Sequence, residues 1–302
     1  MYFTGVISRY FSVPAACGIC SFGFGILNTI MLLIGWKVTR GYENTEQNAY
    51  VDEPVGIKAI IDGPLKLKSY RRFLVAFLCG IVQQTLFLGF MVYYLQNCVE
   101  LSGGQIAIVN SLMWLISFLW VAPVNWFADR FSKKMSNLVS YGLASVIMIV
   151  FPFFIIKTGS VIACVIMCGL MTYELNGMYQ IVYSYIPDFV DLDELKTGNR
   201  KEGTFYSCAT ITQKVFGSLA VLLLGLVLSW IGYDASAAVQ SANTVNNIQW
   251  VFAGGCSVMS LLSVIFMASC GLDRKKTEHI NIALKEKREG KDVNIDEFKS
   301  LF

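Results

Sequence analysis

Residues 73–97 read FLVAFLCGIVQQTLFLGFMVYYLQN, a run of 25 residues without a charged side chain. A helix needs about 20 such residues to cross the ~30 Å hydrocarbon core of a bilayer. Inside that core every backbone N–H and C=O group must bond within the protein, which favours a helix. The stretch therefore predicts a transmembrane helix.

The rest of the chain repeats this pattern. Of its 302 residues, 55% are hydrophobic and 15% are charged, whereas soluble proteins carry about 25% charged residues. This composition excludes a soluble enzyme and a disordered chain, and the net charge of +3 indicates no nucleic-acid partner. Seven apolar runs predict spans at residues 10–36, 73–97, 104–128, 138–156, 160–186, 204–231 and 248–271. The predicted fold class is all-α, a polytopic protein with seven transmembrane helices.

The basic residues are unevenly divided between the two sides that seven spans would create. With the N-terminus outside, 21 of the 24 Lys and Arg residues lie on the inner side. Only Arg9 and Lys157 lie outside, and the remaining Lys214 lies inside a span. Because cytoplasmic loops are enriched in basic residues, we expect a cell-membrane protein with a cytoplasmic C-terminus.

Two features could suggest other chemistry. Residues 101–105 spell LSGGQ, the signature pentapeptide of ATP-binding cassettes, but the chain has no Walker A sequence, so we interpret it as a turn. Most of the nine cysteines fall within apolar runs, and none has companion ligands at zinc-site spacing. We therefore expect buried thiols, no metal site and no bound cofactor.

Two polar segments resemble motifs of a known family. Residues 125–134, NWFADRFSKK, resemble the G-x-x-x-D-R-x-G-R/K-R/K loop of the major facilitator superfamily, with Asn125 and Ser132 in place of the glycines. Residues 187–203, PDFVDLDELKTGNRKEG, closely resemble a loop of the glycoside, pentoside and hexuronide:cation symporters, the melibiose-transporter branch of that superfamily. Nine positions of that loop are in register: Asp188, Asp191, Glu194, Lys196, Thr197, Gly198, Arg200, Glu202 and Gly203.

The resemblance implies a division of the chain and a function. Residues 1–36 would be the equivalent of the sixth helix, 37–72 the cytoplasmic loop between two bundles, 73–271 the C-terminal six-helix bundle, and 272–302 a cytoplasmic tail. The implied function is symport of a sugar or glycoside with Na⁺ or H⁺ by alternating access, without enzymatic chemistry. About five helices of the family's N-terminal half, which carry the main cation ligands, have no counterpart in this chain. We therefore expect inactivity without a separate N-terminal half.

Two ionisable residues fall inside predicted spans. From the inner ends of their spans, Glu174 is about 18 Å deep and Lys214 about 15 Å deep, at 1.5 Å per residue. A charge at mid-bilayer is costly and usually faces a partner or a polar cavity. We predict that these two residues pair.

The resemblance also implies roles for individual residues. Lys214 matches a lysine near sugar and cation, Thr210 a sugar-contacting threonine, and Tyr179 a sugar-stacking tryptophan. Glu174 has no counterpart, and we group it with these as a substrate-site residue. The predicted inner-gate latch comprises Asp188, Asp191, Glu194, Arg200 and Glu202, together with Asp129 and Arg130.

Three alternatives remain open at this point. Lysophospholipid carriers share the fold and a comparable lysine. Seven spans with an external N-terminus are also the topology of a seven-span receptor. The chain could finally be a remnant without activity of its own.

Overall fold

The structure is a computed structural model that describes residues 12–40, 56–237, 239–291, 293 and 295–302. Those residues form helices and no strand. Seven of the helices are long and apolar enough to cross a membrane. The predicted all-α class is confirmed.

Long helices alternate with short connections along the chain. Within the described residues the α-helices are α1 Val13–Thr39, α2 Ile57–Asp62, α3 Lys68–Asn97, α4 Gly103–Arg130, α5 Lys133–Val150, α6 Val161–Asn176, α7 Val182–Thr197, α8 Glu202–Trp230, α9 Ala242–Gln249, α10 Cys256–Ser269 and α11 Arg274–Arg288. In the same part of the chain three π-helical segments, Phe151–Ile155, Gly177–Ile181 and Trp250–Gly255, continue α5, join α6 to α7 and join α9 to α10.

The chain divides into two compact units. The first comprises Met1–Glu53, and its described part is α1. The second, Pro54–Phe302, contains α2 to α11. α3 begins at Lys68, five residues before the predicted span at residue 73. Residues 41–55 of the predicted inter-bundle loop lie outside the described residues, and the division at residues 37, 73 and 272 stays a prediction.

Six of the long helices pass back and forth through the second unit. α3, α5 and α8 begin at one end, and α4, α7 and α10 finish there; we call this the basic end, because Lys133, Arg200 and Arg288 lie at it. α3 packs against α8 and α10, α5 against α10, and α4 against α6. The helices enclose two buried apolar clusters, one toward the basic end and one toward the opposite end.

The segment after Ile186 differs from the prediction. We expected the span to end there and a charged loop to follow, but α7 continues to Thr197 and ends at Gly198, whose φ of 79° favours glycine. Pro187 lies inside α7 and cannot donate to the carbonyl of Tyr183. The Tyr206 hydroxyl donates to that carbonyl at 3.2 Å instead. The apolar pattern marked the membrane-spanning part of the helix and not its end.

The C-terminal segment packs against the end of the bundle. α11 contacts α7 and buries Ile280 and Leu284. Near the chain end, the carbonyl of Leu301 accepts hydrogen bonds from the backbone N–H of Ser69 at 3.2 Å and from its hydroxyl at 2.8 Å. The tail is therefore held against the start of α3.

Candidate functional site

Tyr179 lies on the surface of the second unit, in the π-helical segment that joins α6 to α7. Its side chain is 46% exposed. The Gln84 amide on α3 donates to the Tyr179 hydroxyl, with 2.9 Å between nitrogen and oxygen. This contact holds the edge of the ring and leaves much of the side chain accessible.

Thr210 and Lys214 lie one turn apart on α8, and both are exposed. Next to Lys214, the Gln213 side chain accepts a hydrogen bond from the Tyr183 hydroxyl at 2.7 Å. Tyr183 is one turn beyond Tyr179, so α8 meets the α6–α7 helix near that residue. We refer to the partly exposed or exposed residues Gln84, Tyr179, Thr210 and Lys214 of these adjoining helices together as the polar surface.

A row of amide side chains between α4 and α6 was not predicted. The Asn125 amide donates to the Gln180 carbonyl oxygen at 2.7 Å, and the Gln180 amide donates to Asn176 at 2.8 Å. The Asn176 amide then donates to the Ser117 hydroxyl oxygen at 2.9 Å. The i, i+4 spacing of Asn176 and Gln180 within an apolar run was the available signal.

The predicted pairing of Glu174 with Lys214 is wrong. Glu174 is 1% exposed, and neither carboxylate oxygen has a hydrogen-bond partner among the described residues. Lys214 is exposed on α8 and forms no ion pair with any residue in the described ranges. Depth along a helix fixes the height of a residue but not its direction around the axis.

At the basic end, α5 is joined to α7. The Lys133 ammonium donates to the two carboxylate oxygens of Asp188 at 2.8 and 3.0 Å, and to the Ser184 carbonyl at 2.8 Å. Asp188 was predicted as a latch residue, whereas Lys133 was not assigned a role. Lys133 belongs to the NWFADRFSKK segment, so this ion pair joins the two motifs.

Arg200 binds three acidic side chains around the turn between α7 and α8. Its guanidinium donates to Asp191 at 2.8 Å, to Glu194 at 2.9 Å and to Glu202, with Nε 2.8 Å from the carboxylate. Burial alone would lower the pKa of Arg200, but the bonds to Glu202, Glu194 and Asp191 outweigh it and raise the pKa above its ordinary value. Arg200 therefore stays charged and closes the short turn between α7 and α8.

Glu194 also binds the C-terminal helix. Arg288 donates to one Glu194 oxygen from two nitrogens, at 2.7 and 3.0 Å, and Lys287 donates to the carbonyl of Leu195 at 2.6 Å. The Glu194 side chain is 5% exposed and is shared by two arginines. Sequence spacing could not find this contact, because 94 residues separate Glu194 from Arg288.

Asp129 and Arg130 contribute through their backbones. The Arg274 guanidinium donates to their carbonyl oxygens at 2.9 and 3.4 Å. In the part of the chain that the structure describes, neither side chain forms an ion pair. Both residues are exposed at the end of α4.

The bundle of membrane-spanning helices agrees with the comparisons to known proteins. The family model for MFS/sugar transport proteins matches residues 19–274. The chain belongs to this family. It is a multi-pass membrane protein, and its family consists of transporters and not of enzymes, which favours the transport alternatives over the seven-span receptor.

Individual relatives agree with this family. The chain is 27% identical over 232 residues to an uncharacterized symporter of Synechocystis, covering 70% of this chain and 41% of the relative. It is 28% identical over 265 residues to a putative sulfoquinovose importer of Escherichia coli, covering 82% of this chain and 51% of that protein. It is 23% identical over 158 residues to a sphingosine-1-phosphate transporter of Xenopus tropicalis, covering 51% of this chain and 30% of the relative. The chain thus spans about half the length, or less, of these relatives.

Proposed function

We propose that this chain forms the C-terminal bundle of a sugar:cation symporter that works by alternating access. In that mechanism two bundles move about a substrate site near the middle of the membrane. The chain would contribute the polar surface and would need an N-terminal half for activity. The main ligands of the coupling cation, Na⁺ or H⁺, would belong to that other half.

The observation that carries this proposal is the unpaired Lys214 on the polar surface. An exposed ammonium within a membrane-spanning helix is costly unless it faces water or an anion. Tyr179 and Gln84 supply a ring face and an amide on the neighbouring helices, and sugars bind through such stacking and hydrogen bonding. These side chains support a polar substrate that contacts several helices at once.

The same lysine favours a negatively charged sugar. One relative is named as a putative importer of sulfoquinovose, a sugar that carries a sulfonate. Uronic acids carry a carboxylate instead. Lys214 has no acidic partner among the described residues, so its charge is available to such a group. We therefore place acidic sugars ahead of neutral sugars as substrates.

The basic end would act as the latch of the inner gate. The ion pairs of Asp188, Asp191, Glu194, Arg200 and Glu202 close this end, and the backbones of Asp129 and Arg130 tie it to the tail. The charge asymmetry supports a cytoplasmic location for this end in the cell membrane, with the N-terminus outside.

The decisive experiment co-expresses the chain with an N-terminal half and measures uptake of labelled sulfoquinovose and of a neutral galactoside. The chain alone should insert in the membrane without transporting either sugar. The pair should accumulate sulfoquinovose, and Lys214→Ala should reduce this uptake more than Lys214→Arg does, because arginine keeps the charge but changes its shape. Ser218→Ala, one turn further along α8, is the matched control. Uptake by the chain alone, or indifference to Lys214→Ala, contradicts the proposal.

A lysolipid carrier is the second candidate, and the similarity to the sphingosine-1-phosphate transporter favours it. A phosphate head group would also suit Lys214. Competition separates the two functions: sphingosine 1-phosphate should leave sulfoquinovose uptake unchanged if the site is built for sugars. Displacement of the sugar by the lipid would favour the lipid carrier.

A further inference from the structure

A layer of buried polar side chains divides the apolar interior of the second unit. Four helices each place a buried polar residue between the residues of the two apolar clusters: Gln83 on α3, Tyr141 on α5, Glu174 on α6 and Ser260 on α10. All four are buried. Their side-chain oxygen and nitrogen atoms have no hydrogen-bond partner among the described residues. The polar surface contains none of these four residues.

Contacts between the helices bring Tyr141 and Ser260 to the same height. The hydroxyl oxygens of Ser145 on α5 and Ser257 on α10 lie 2.9 Å apart. Tyr141 lies one turn before Ser145, and Ser260 lies about one turn after Ser257. Since α5 and α10 run in opposite directions, both residues lie on the same side of this contact. A Cβ atom on Gly80 of α3 would lie 2.5 Å from the Tyr141 hydroxyl, so α3 reaches the layer too.

Glu174 enters the layer from α6. The Ser140 hydroxyl lies 2.6 Å from where a Cβ atom of Gly177 would be, so α5 and α6 meet at these residues. Glu174 precedes Gly177 by three residues, and Tyr141 follows Ser140. The Tyr141 hydroxyl and the Cys256 thiol on α10 are both within electrostatic reach of the carboxyl group.

No basic group faces this carboxyl group in the described structure. The neighbouring titratable groups are Tyr141 on α5 and Cys256 on α10, and both are neutral acids. The charged residues of α4, which packs against α6, are Asp129 and Arg130 at its far end. An ionised carboxylate that is fully buried without a donor or counter-ion costs several kcal/mol, whereas the protonated acid avoids this cost.

We propose that Glu174 is a proton-binding site inside this bundle. The carboxylic acid holds the proton while the side chain is buried. On release, the O–H bond breaks and the proton passes to water, which leaves a carboxylate that requires hydration. Each cycle of opening and closing can therefore move one proton.

The backbone on both sides of the layer is irregular. The π-helical segment Gly177–Ile181 begins three residues after Glu174, and the segment Trp250–Gly255 ends next to Cys256. Such segments occur frequently at functional sites within α-helices. The first one carries Tyr179, so a change at Glu174 can reach the polar surface through five residues of one helix. This coupling to sugar rests on the proposed function, whereas the proton site does not.

The proton site is tested on the 302-residue chain in lipid nanodiscs by infrared spectroscopy. At neutral pH the protein should show the C=O stretch of a protonated carboxylic acid, which Glu174→Gln removes. Glu278→Gln, an exposed glutamate paired with Arg274, should leave the band in place. If Glu174→Gln does not fold, ¹³C-labelled glutamate must shift the band, because Glu194, the other glutamate that is buried among the described residues, is paired with two arginines. No band, a band that survives Glu174→Gln, or one unmoved by the label overturns the site.

The coupling is tested in the co-expressed carrier. Glu174→Gln should reduce accumulation driven by a pH gradient but retain exchange of sugar for sugar, which needs no net proton movement. If the variant loses accumulation and exchange to the same extent, or loses neither activity, the coupling is overturned. Absence of any uptake by the unmodified pair contradicts the proposed transport function instead, and the infrared result stands independently.

Discussion

Lys133 Nζ lies 2.8 Å from Asp188 Oδ1 and donates to the Ser184 carbonyl at the same distance. It thereby joins the start of α5 to α7, across 55 residues of sequence. Asp188 is buried, whereas Lys133 is partly exposed. The loss of one partner is therefore more costly on the lysine side, since it leaves a buried carboxylate without a counter-ion.

We expect Lys133→Ala to destabilise the protein by about 1.5–3 kcal/mol, the usual value of hydrogen bonds to charged groups. Thermal unfolding in detergent measures this change. Asp188→Asn should cost less, because it leaves no buried charge. The double variant Lys133→Ala/Asp188→Asn should lose less stability than the sum of the losses measured for the two single variants. Additive losses would show that the two side chains do not stabilise one another.

The contact of Arg288 with Glu194 predicts how firmly the tail is held. Arg288→Ala should release α11 from α7 and increase cleavage of the tail by an added protease. The expected loss is about 1–2 kcal/mol, since two charge-assisted bonds disappear while Arg200 still neutralises Glu194. Limited proteolysis with mass spectrometry of the fragments measures this effect.

Lys275→Ala is the matched control for the tail. Lys275 lies on the same helix and is exposed, so its loss should not change the rate of cleavage. Glu194→Gln should release the tail at least as strongly as Arg288→Ala, because it weakens the contacts of both arginines. If the tail were cleaved at the same rate in all three variants, the apolar contacts of Ile280 and Leu284 alone would hold it.

The sequence predicted most of the fold because the bilayer limits the possible structures. A run such as residues 73–97 can only be a membrane-spanning helix, and the family motifs then order the spans. The ends of the helices were harder to predict. Beyond Ile186 the side chains become charged, but the backbone remains helical until Gly198 permits a left-handed residue.

The site was predictable where its residues lie close in sequence. Arg200 and Glu202 belong to one turn, and their contact follows from the spacing. The contacts of Glu194 with Arg288 and of Lys133 with Asp188 depend on how distant helices pack. The pairing of Glu174 with Lys214 was wrong for the same reason, because helical depth was known and orientation was not.

The close approach of Gly80 to Tyr141 gives a steric prediction. A Cβ atom at Gly80 would lie 2.5 Å from the Tyr141 hydroxyl and 3.0 Å from its ring carbons. Gly80→Ala should therefore destabilise the protein by about 1–3 kcal/mol through overpacking, measured by thermal unfolding. Gly142→Ala is the control, since it meets no atom within 4 Å and should stabilise its helix by roughly 0.5–1 kcal/mol. Equal changes in thermal stability for Gly80→Ala and Gly142→Ala would contradict the packing of α3 on α5.

The distribution of basic residues predicts the orientation of the bundle. A cysteine at Asn199, in the turn between α7 and α8, should react only with a membrane-permeant maleimide in intact cells. A cysteine at Ala235, in the connection after α8, should also react with an impermeant reagent, because 29 residues of helix separate the two loops. Both positions are exposed, and the unsubstituted chain gives the background of the native cysteines. Labelling of Asn199→Cys alone by the impermeant reagent would reverse the orientation and place the ion pairs of the basic end at an outer gate.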